Sequence, residues 1–153
     1  MIYLLISALL TLALAIFVLM AKRARSSEPD RYPFDACPPL TQREQVLYWR
    51  LRKVLPEQIV LAQVAMSRIL RVERGHNLGQ WLNRINRMTV DFVVCLPDST
   101  IVATIELDDA SHERDARKSR DAKKTKALES AGIKLLRFSE IPSEEELRTA
   151  FLR

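Results

Sequence analysis

Eighteen of the first twenty residues, MIYLLISALLTLALAIFVLM, are apolar, and none of the twenty is charged. As a helix such a run rises about 30 Å, the thickness of a bilayer's hydrocarbon core, which predicts a transmembrane anchor over residues 1–20. A cleavable leader is the competing reading, with Ala13 and Ala15 as small residues at a processing site. Against it, the start lacks a basic region and the apolar run continues through residues 16–19 beyond those alanines. Lys22, Arg23 and Arg25 follow at once, and the positive-inside rule then places the rest of the chain in the cytoplasm. In that reducing compartment Cys37 and Cys95 are expected as free thiols, and their spacing does not form a metal-ligand pair.

All 24 Lys and Arg and all 19 Asp and Glu lie beyond Met20, so the net charge of +5 belongs wholly to the remainder. That remainder is long enough for one domain with its own core, and two cysteines exclude a disulfide-built scaffold. Three glycines leave no Gly-rich phosphate loop. Residues 21–37 read as a linker, because Pro29 and Pro33 interrupt a stretch without helical or strand periodicity. Tyr32 and Phe34 leave a second reading open, a segment wrapped against the domain of residues 38–153.

Thr41 and Glu44 fit a capping box, and Val46, Leu47, Leu51, Val54 and Leu55 recur at helical spacing until Pro56. The β-branched run 59–70 suits a strand, and the basic stretch 71–87 reads as a loop with a short helix. TVDFVVCL (89–96) and IVATIELD (101–108) are rich in Val and Ile and flank a four-residue turn, which predicts an antiparallel hairpin. Pairing Leu96 with Ile101 sets Asp91 opposite Glu106, with Cβ atoms about 4.5–5.5 Å apart and Asp108 on the same face. The same register puts Val93, Cys95 and Val102 on one face and Phe92, Val94, Ile101, Ala103 and Ile105 on the other. Strands apolar on both faces lie centrally in helix-covered sheets.

Two ionised carboxylates about 5 Å apart repel by roughly 3 kcal/mol at an effective dielectric of about 20. A divalent cation or a shared proton relieves that repulsion, which makes Asp91, Glu106 and Asp108 a candidate metal site. Solvated strand ends, or neutralisation by Arg and Lys, are the other reading. Beyond Asp109 a helical pattern puts Arg117, Arg120, Asp121, Lys124 and Leu128 on one stripe and Gly132 at the C-terminal cap. Residues 111–126 hold seven Lys or Arg against three Asp or Glu, suited either to phosphates or to solvent. IKLLRF (133–138) reads as a strand, and Ser143 with Glu146 opens a last helix. The order is α, β, β, β, α, β, α.

EQVLYWRL, RINRMTVDFVVC, IELDDASH and RKSRDAKKTKALESAGIKLLRF closely resemble the bacterial domain of unknown function 2726 (DUF2726) over most of residues 38–140. That domain is similar to the PD-(D/E)XK nuclease superfamily, near the very-short-patch-repair-like endonucleases. The resemblance implies an α/β fold with a restriction-endonuclease-like core, αβββαβ, its mixed sheet flanked by helices. It matches Asp91 to the superfamily's first metal carboxylate, Glu106 to the second, and Glu44 to a supporting acid. One position departs: Asp108 stands where the superfamily usually has lysine. Either the cationic role has moved to Lys124, Lys123 or Arg120, or the site cuts poorly or not at all.

The implied function is a single-pass protein of the bacterial inner membrane whose cytoplasmic nuclease domain hydrolyses phosphodiester bonds, in DNA more than RNA. Asp91, Glu106 and Asp108, with the Leu107 carbonyl, would hold Mg²⁺ or Mn²⁺. Lys124 would supply catalytic charge, and Arg117, Arg120 and Lys123 would bind substrate. His112 would act as base or phosphate ligand, or else bond backbone at a helix start. Arg68, Arg71, Arg84 and Arg87 would follow the nucleic-acid backbone or solubilise the surface, and Trp81 would stack on a base or pack in the core. The alternative is a membrane-tethered adaptor that has lost turnover and binds nucleic acid or protein. A membrane-associated scaffold without a nucleic-acid role would leave the basic helix unexplained.

Overall fold

The computed structural model describes residues 1–25, 31–108 and 115–151, with the backbone alone for 23–25 and 115–118. The chain divides into two compact units, Met1–Cys37 and Pro38–Arg153. In the first, helix α1 (Ile2–Arg25) contains Ile2–Lys22, 21 residues of mean hydropathy 2.8, long and apolar enough to cross a membrane. The Ser7 and Thr11 hydroxyls donate to the carbonyls of Leu4 and Ala8 at 3.0 and 2.9 Å, which satisfies two polar groups in an otherwise apolar stretch. Further on, the exposed rings of Tyr32 and Phe34 stack on one another, 6.0 Å between centroids.

The second unit opens with α2 (Gln42–Val54). Its capping box is complete: Thr41 Oγ1 accepts from the Glu44 N–H at 3.3 Å, and Glu44 Oε2 accepts from the Thr41 N–H at 2.6 Å. There follow β1 (Ile59–Ala65), the short α3 (Met66–Ile69) and α4 (Leu78–Ile85), the last capped by Asn77. The run 59–70, expected as one strand, therefore stops at Ala65. β-branching lapses at Ala65, Met66 and Ser67; the Met66 side chain enters the core while its N–H still bonds the Met88 carbonyl at 2.9 Å. The rest is β2 (Thr89–Cys95), β3 (Ile101–Leu107), α5 (Asp115–Ser130), β4 (Leu135–Phe138) and α6 (Glu144–Phe151).

The four strands form one sheet in the order β1-β2-β3-β4, the first three antiparallel and β4 parallel to β3. The β2–β3 register pairs Phe92 with Ile105, Val93 with Thr104 and Val94 with Ala103. Near the turn it slips: Cys95 pairs with Ile101, and the Leu96 N–H bonds the Thr100 carbonyl at 2.8 Å. The loop has three residues rather than the expected four, with Ser99 left-handed at φ +70° and its N–H bonded to the Leu96 carbonyl. The slip exchanges the faces expected for two residues. Val102 packs toward Phe92 and Val94, whereas Ile101 packs toward Val93 and Cys95.

Each face of the sheet is covered by helices. On one, Phe92, Val94 and Ile105 meet Leu47 and Leu51 of α2 and Leu147 of α6. On the other, Val90, Val93 and Cys95 meet Met66, Ile85 of α4 and Leu128 of α5. Each fully buried side chain of this size contributes about 1.5–3 kcal/mol. Arg50 ties α2 to the segment before α6, donating to the carbonyls of Ile141 at 3.2 Å and Pro142 at 2.7 Å.

Candidate active site

Asp91 and Glu106 owe their position to the hairpin. One step beyond the Phe92–Ile105 pair, the register sets Asp91 across from Glu106, on the side of the sheet that α5 covers. The Leu107 N–H donates to Asp91 Oδ2 at 2.8 Å, a rung in which a side chain stands where a carbonyl would in a regular ladder. Glu106 is 7% exposed, and its Oε2 accepts from Lys124 Nζ at 2.6 Å. Lys124 reaches it from the stripe of α5 that buries Leu128 one turn further on, and its side chain is only 13% exposed.

These acids hold their protons more tightly than ordinary carboxylates. For Asp91 the main cause is burial, reinforced by the charges of Glu44 and Asp108 and opposed by the Leu107 N–H and Lys124. For Glu106 burial again dominates, opposed by the Lys124 hydrogen bond and charge and by Arg137, while Asp91 adds to it. Glu106 Oε1 is buried and has no hydrogen-bond partner among the described residues. A buried carboxylate oxygen left bare is costly, by about 1–3 kcal/mol or more.

The pair opens on a cleft of about 460 Å³ lined also by Arg87, Thr89, Asp108, Arg120 and Asp121. Asp108 is exposed on its wall, its backbone N–H bonded to the Phe138 carbonyl at 2.8 Å. Arg120 also lines the cleft and donates to the Arg87 carbonyl at 3.5 Å. Lys123, one residue from Lys124, is exposed and does not line the cleft. His112 and the Arg117 side chain lie outside the described residues. Of the three cations weighed for the displaced lysine, Lys124 is the one in contact with a site acid.

Glu44 is held from two sides. Its Oε2 caps its own helix, and its Oε1 accepts from Gln63 Nε2 at 2.7 Å. Gln63 is left-handed, φ +50°, at the point of β1 that the register sets across from Asp91. Sequence reasoning passed over Gln63 and Arg137, although each is a lone polar residue inside an apolar strand, IVLAQVA and LLRF. Trp81 is 43% exposed, so the core placement weighed for it does not hold.

Among the described residues no three His, Cys, Asp or Glu side chains gather closely enough to enclose a metal by themselves. The donors at hand suit an ion that takes oxygen ligands, keeps several waters and needs only one or two protein carboxylates, which describes Mg²⁺. The bare Glu106 Oε1 is where such a charge would be compensated.

Fold and site together define a mixed α/β domain, a four-stranded sheet between helices, with a part-buried acid pair and a lysine in a cleft lined by both acidic and basic side chains. The chain belongs to the family described as "Protein of unknown function (DUF2726)", which it matches over residues 38–153. No curated protein and no solved structure matches it.

Proposed function

We propose that this protein is a membrane-anchored, metal-dependent nuclease of the PD-(D/E)XK type, with a restriction-endonuclease-like core on the cytoplasmic side of the bacterial inner membrane. The observation that carries the reading is the buried, unpartnered Glu106 Oε1 beside Asp91 on the floor of a cleft whose walls carry Arg87 and Arg120. The sheet order and the crossover through α5 are consistent with that core.

The chemistry that Mg²⁺ or Mn²⁺ supplies when bound is polarisation of a phosphate oxygen and activation of water. Asp91 and Glu106 hold the ion, and the Leu107 N–H keeps the Asp91 carboxylate oriented. Lys124 supplies from α5 the positive charge that Asp108, at the usual lysine position, cannot. Arg87 and Arg120 bind the scissile strand's phosphates from the walls. Asp108 is an exposed carboxylate of the same cleft.

A second reading has one observation in its favour: Lys124 is already engaged by Glu106 at 2.6 Å. A module in which that pair stays closed would bind nucleic acid or protein without turnover. The deciding experiment is cleavage of single- and double-stranded DNA and RNA by the full chain in mild detergent, with Mg²⁺, Mn²⁺ or EDTA, beside Asp91→Asn and Glu106→Gln. Metal-dependent cutting lost in both variants is expected. Salt-sensitive binding without cutting selects the adaptor, and identical behaviour of parent and variants on every substrate overturns the nuclease.

A further inference from the structure

The segment from α3 to the start of β2 carries Arg68, Arg71, Arg74, Arg84 and Arg87 against a single acid, Glu73. Its helix α4 turns Leu82 and Ile85 inward but leaves Leu78 59% and Trp81 43% exposed. Large apolar side chains three residues apart on the outer face of a short helix are unfavourable in water unless something covers them. The Trp81 ring is also fixed. The Arg84 guanidinium lies over it, 4.6 Å from the centroid, and His76 meets it edge-on at 6.0 Å. A groove between α3 and α4 is lined by Arg68, Ile69 and Arg71 and, from α4, by Leu78 and Leu82, which flank Trp81 along the helix. At the far end of α4 the chain passes to Arg87, left-handed at φ +62°, on the wall of the acid cleft.

We infer that this face is a platform for single-stranded DNA: Trp81 stacks on an unpaired base while Arg68, Arg71 and Arg84 bind the flanking phosphates, and Arg87 leads the strand into the cleft. The inference rests on the proposed nuclease reading for what receives the strand, and on its own observations for the binding. An aromatic ring with positive charge beside it is the arrangement that holds unpaired bases whatever their sequence. A duplex hides its bases and offers such a ring nothing to stack on. The polar side chains of the groove are two arginines, which suit phosphates, and Ser67 is its one side-chain hydroxyl, so it offers few neutral partners for reading a ribose 2′-OH. The rival occupant is an anionic lipid surface, which also attracts arginine and tryptophan. The position of Arg87, two residues past α4 and on the wall of the acid cleft, favours the strand.

The test uses the full chain in mild detergent with EDTA, so that binding is read without cutting. The probes are a fluorescent dT oligonucleotide, its duplex with dA, and an rU oligonucleotide of equal length. The dT strand is expected to bind most tightly. Trp81→Ala should weaken it about 10-fold or more, the size of one lost base stack, and Trp81→Phe should restore most of the loss. Arg68→Ala with Arg71→Ala should lower the slope of log K against log salt by about 1.4, two phosphate contacts on a single strand. Unchanged dT binding in Trp81→Ala, equal or tighter binding of duplex or rU, or a Trp81 effect seen only with phosphatidylglycerol vesicles overturns the platform. The two proposals fail separately. Trp81-dependent dT binding without metal-dependent cutting removes the nuclease and leaves the platform, whereas cutting by a Trp81→Ala protein that binds dT normally does the reverse.

Discussion

Replacing Lys124 by Met keeps most of the unbranched side chain and removes the charged donor that faces Glu106. Taking one partner from a buried ion pair costs about 3–5 kcal/mol, because the other charge stays in a poor solvent. Here Glu106 already has one oxygen without a partner, so losing the 2.6 Å bond to Lys124 leaves both oxygens bare. Two things moderate the loss: the charge of Arg137, and the proton that Glu106 readily takes because burial has raised its pKa. A cost of about 3 kcal/mol at pH 8 follows, or roughly 10 °C or more in Tm for a domain of this size. The sign of the pH dependence is set. In the variant the folded-state pKa of Glu106 rises further above its unfolded value, so a protonated Glu106 is tolerated near pH 5 and the deficit grows as pH climbs through the raised pKa. Denaturant unfolding of the full chain in mild detergent measures this through Trp49 and Trp81, both in the second unit. Lys124→Met with Glu106→Gln should recover most of the loss. A deficit equal at pH 5 and pH 8, or below about 1 kcal/mol at both, would show an ordinary surface pair and refute the reasoning.

Asp91→Asn retains an oxygen for the Leu107 N–H and removes a carboxylate crowded by burial and by Glu44. In EDTA at pH 8 it should raise stability by about 1–3 kcal/mol, the scale of relieved like-charge repulsion, and the gain should vanish below pH 4, where the parent is protonated too. Millimolar Mg²⁺ should raise the Tm of the parent and not of this variant. Gly132 follows α5 in the left-handed region, φ +69°, with open space where a Cβ would stand. Gly132→Ala should therefore cost about 1 kcal/mol from backbone strain alone, and Gly132→Asn less, as measured by denaturant unfolding. Leu128→Ala removes a fully buried side chain and should cost about 2–5 kcal/mol in the same experiment.

What the sequence made legible was whatever rests on a period or a cap. Thr41 and Glu44 announce α2, the Val- and Ile-rich runs announce β2 and β3, and the spacing from Lys124 to Leu128 puts a cation and a core residue on one face of α5. The hairpin was enough to bring Asp91 across from Glu106 because the slip is confined to the turn end, and from Val94 back to Phe92 the pairing keeps the expected register. The turn was not legible in full. Ser99 adopts a left-handed conformation usually given to glycine or asparagine, which shortens the loop and exchanges the faces of Ile101 and Val102. The end of β1 was hidden because apolar residues recur past Ala65 at Met66, Ile69 and Leu70, with no glycine or proline to mark the boundary. Trp81 was hidden for the opposite reason, since no local pattern says whether a tryptophan beside a leucine faces in or out.

The irregularities gather where the acids are. Among the described residues three non-glycine positions have positive φ, and two of them, Gln63 and Arg87, border the cleft or its support. Along β1, Val60 and Ala62 pack on the α2 side of the sheet but Val64 packs on the other; along β2, Phe92 and Val90 divide in the same way. The alternation of both strands thus breaks at one rung, Gln63 against Asp91. A regular ladder would bury that rung on a single face, under one layer of helices. The break instead lets Gln63 reach Glu44 on α2 while Asp91 and Glu106 face Lys124 on α5. Left-handed backbone at an ordinary residue costs about 1–3 kcal/mol, and a half-satisfied buried carboxylate adds to that. A fold optimised for stability alone would place valine or threonine here. Strain, a bare oxygen and like charge thus coincide at one rung, a cost that packing does not explain and that the proposed nuclease reading would.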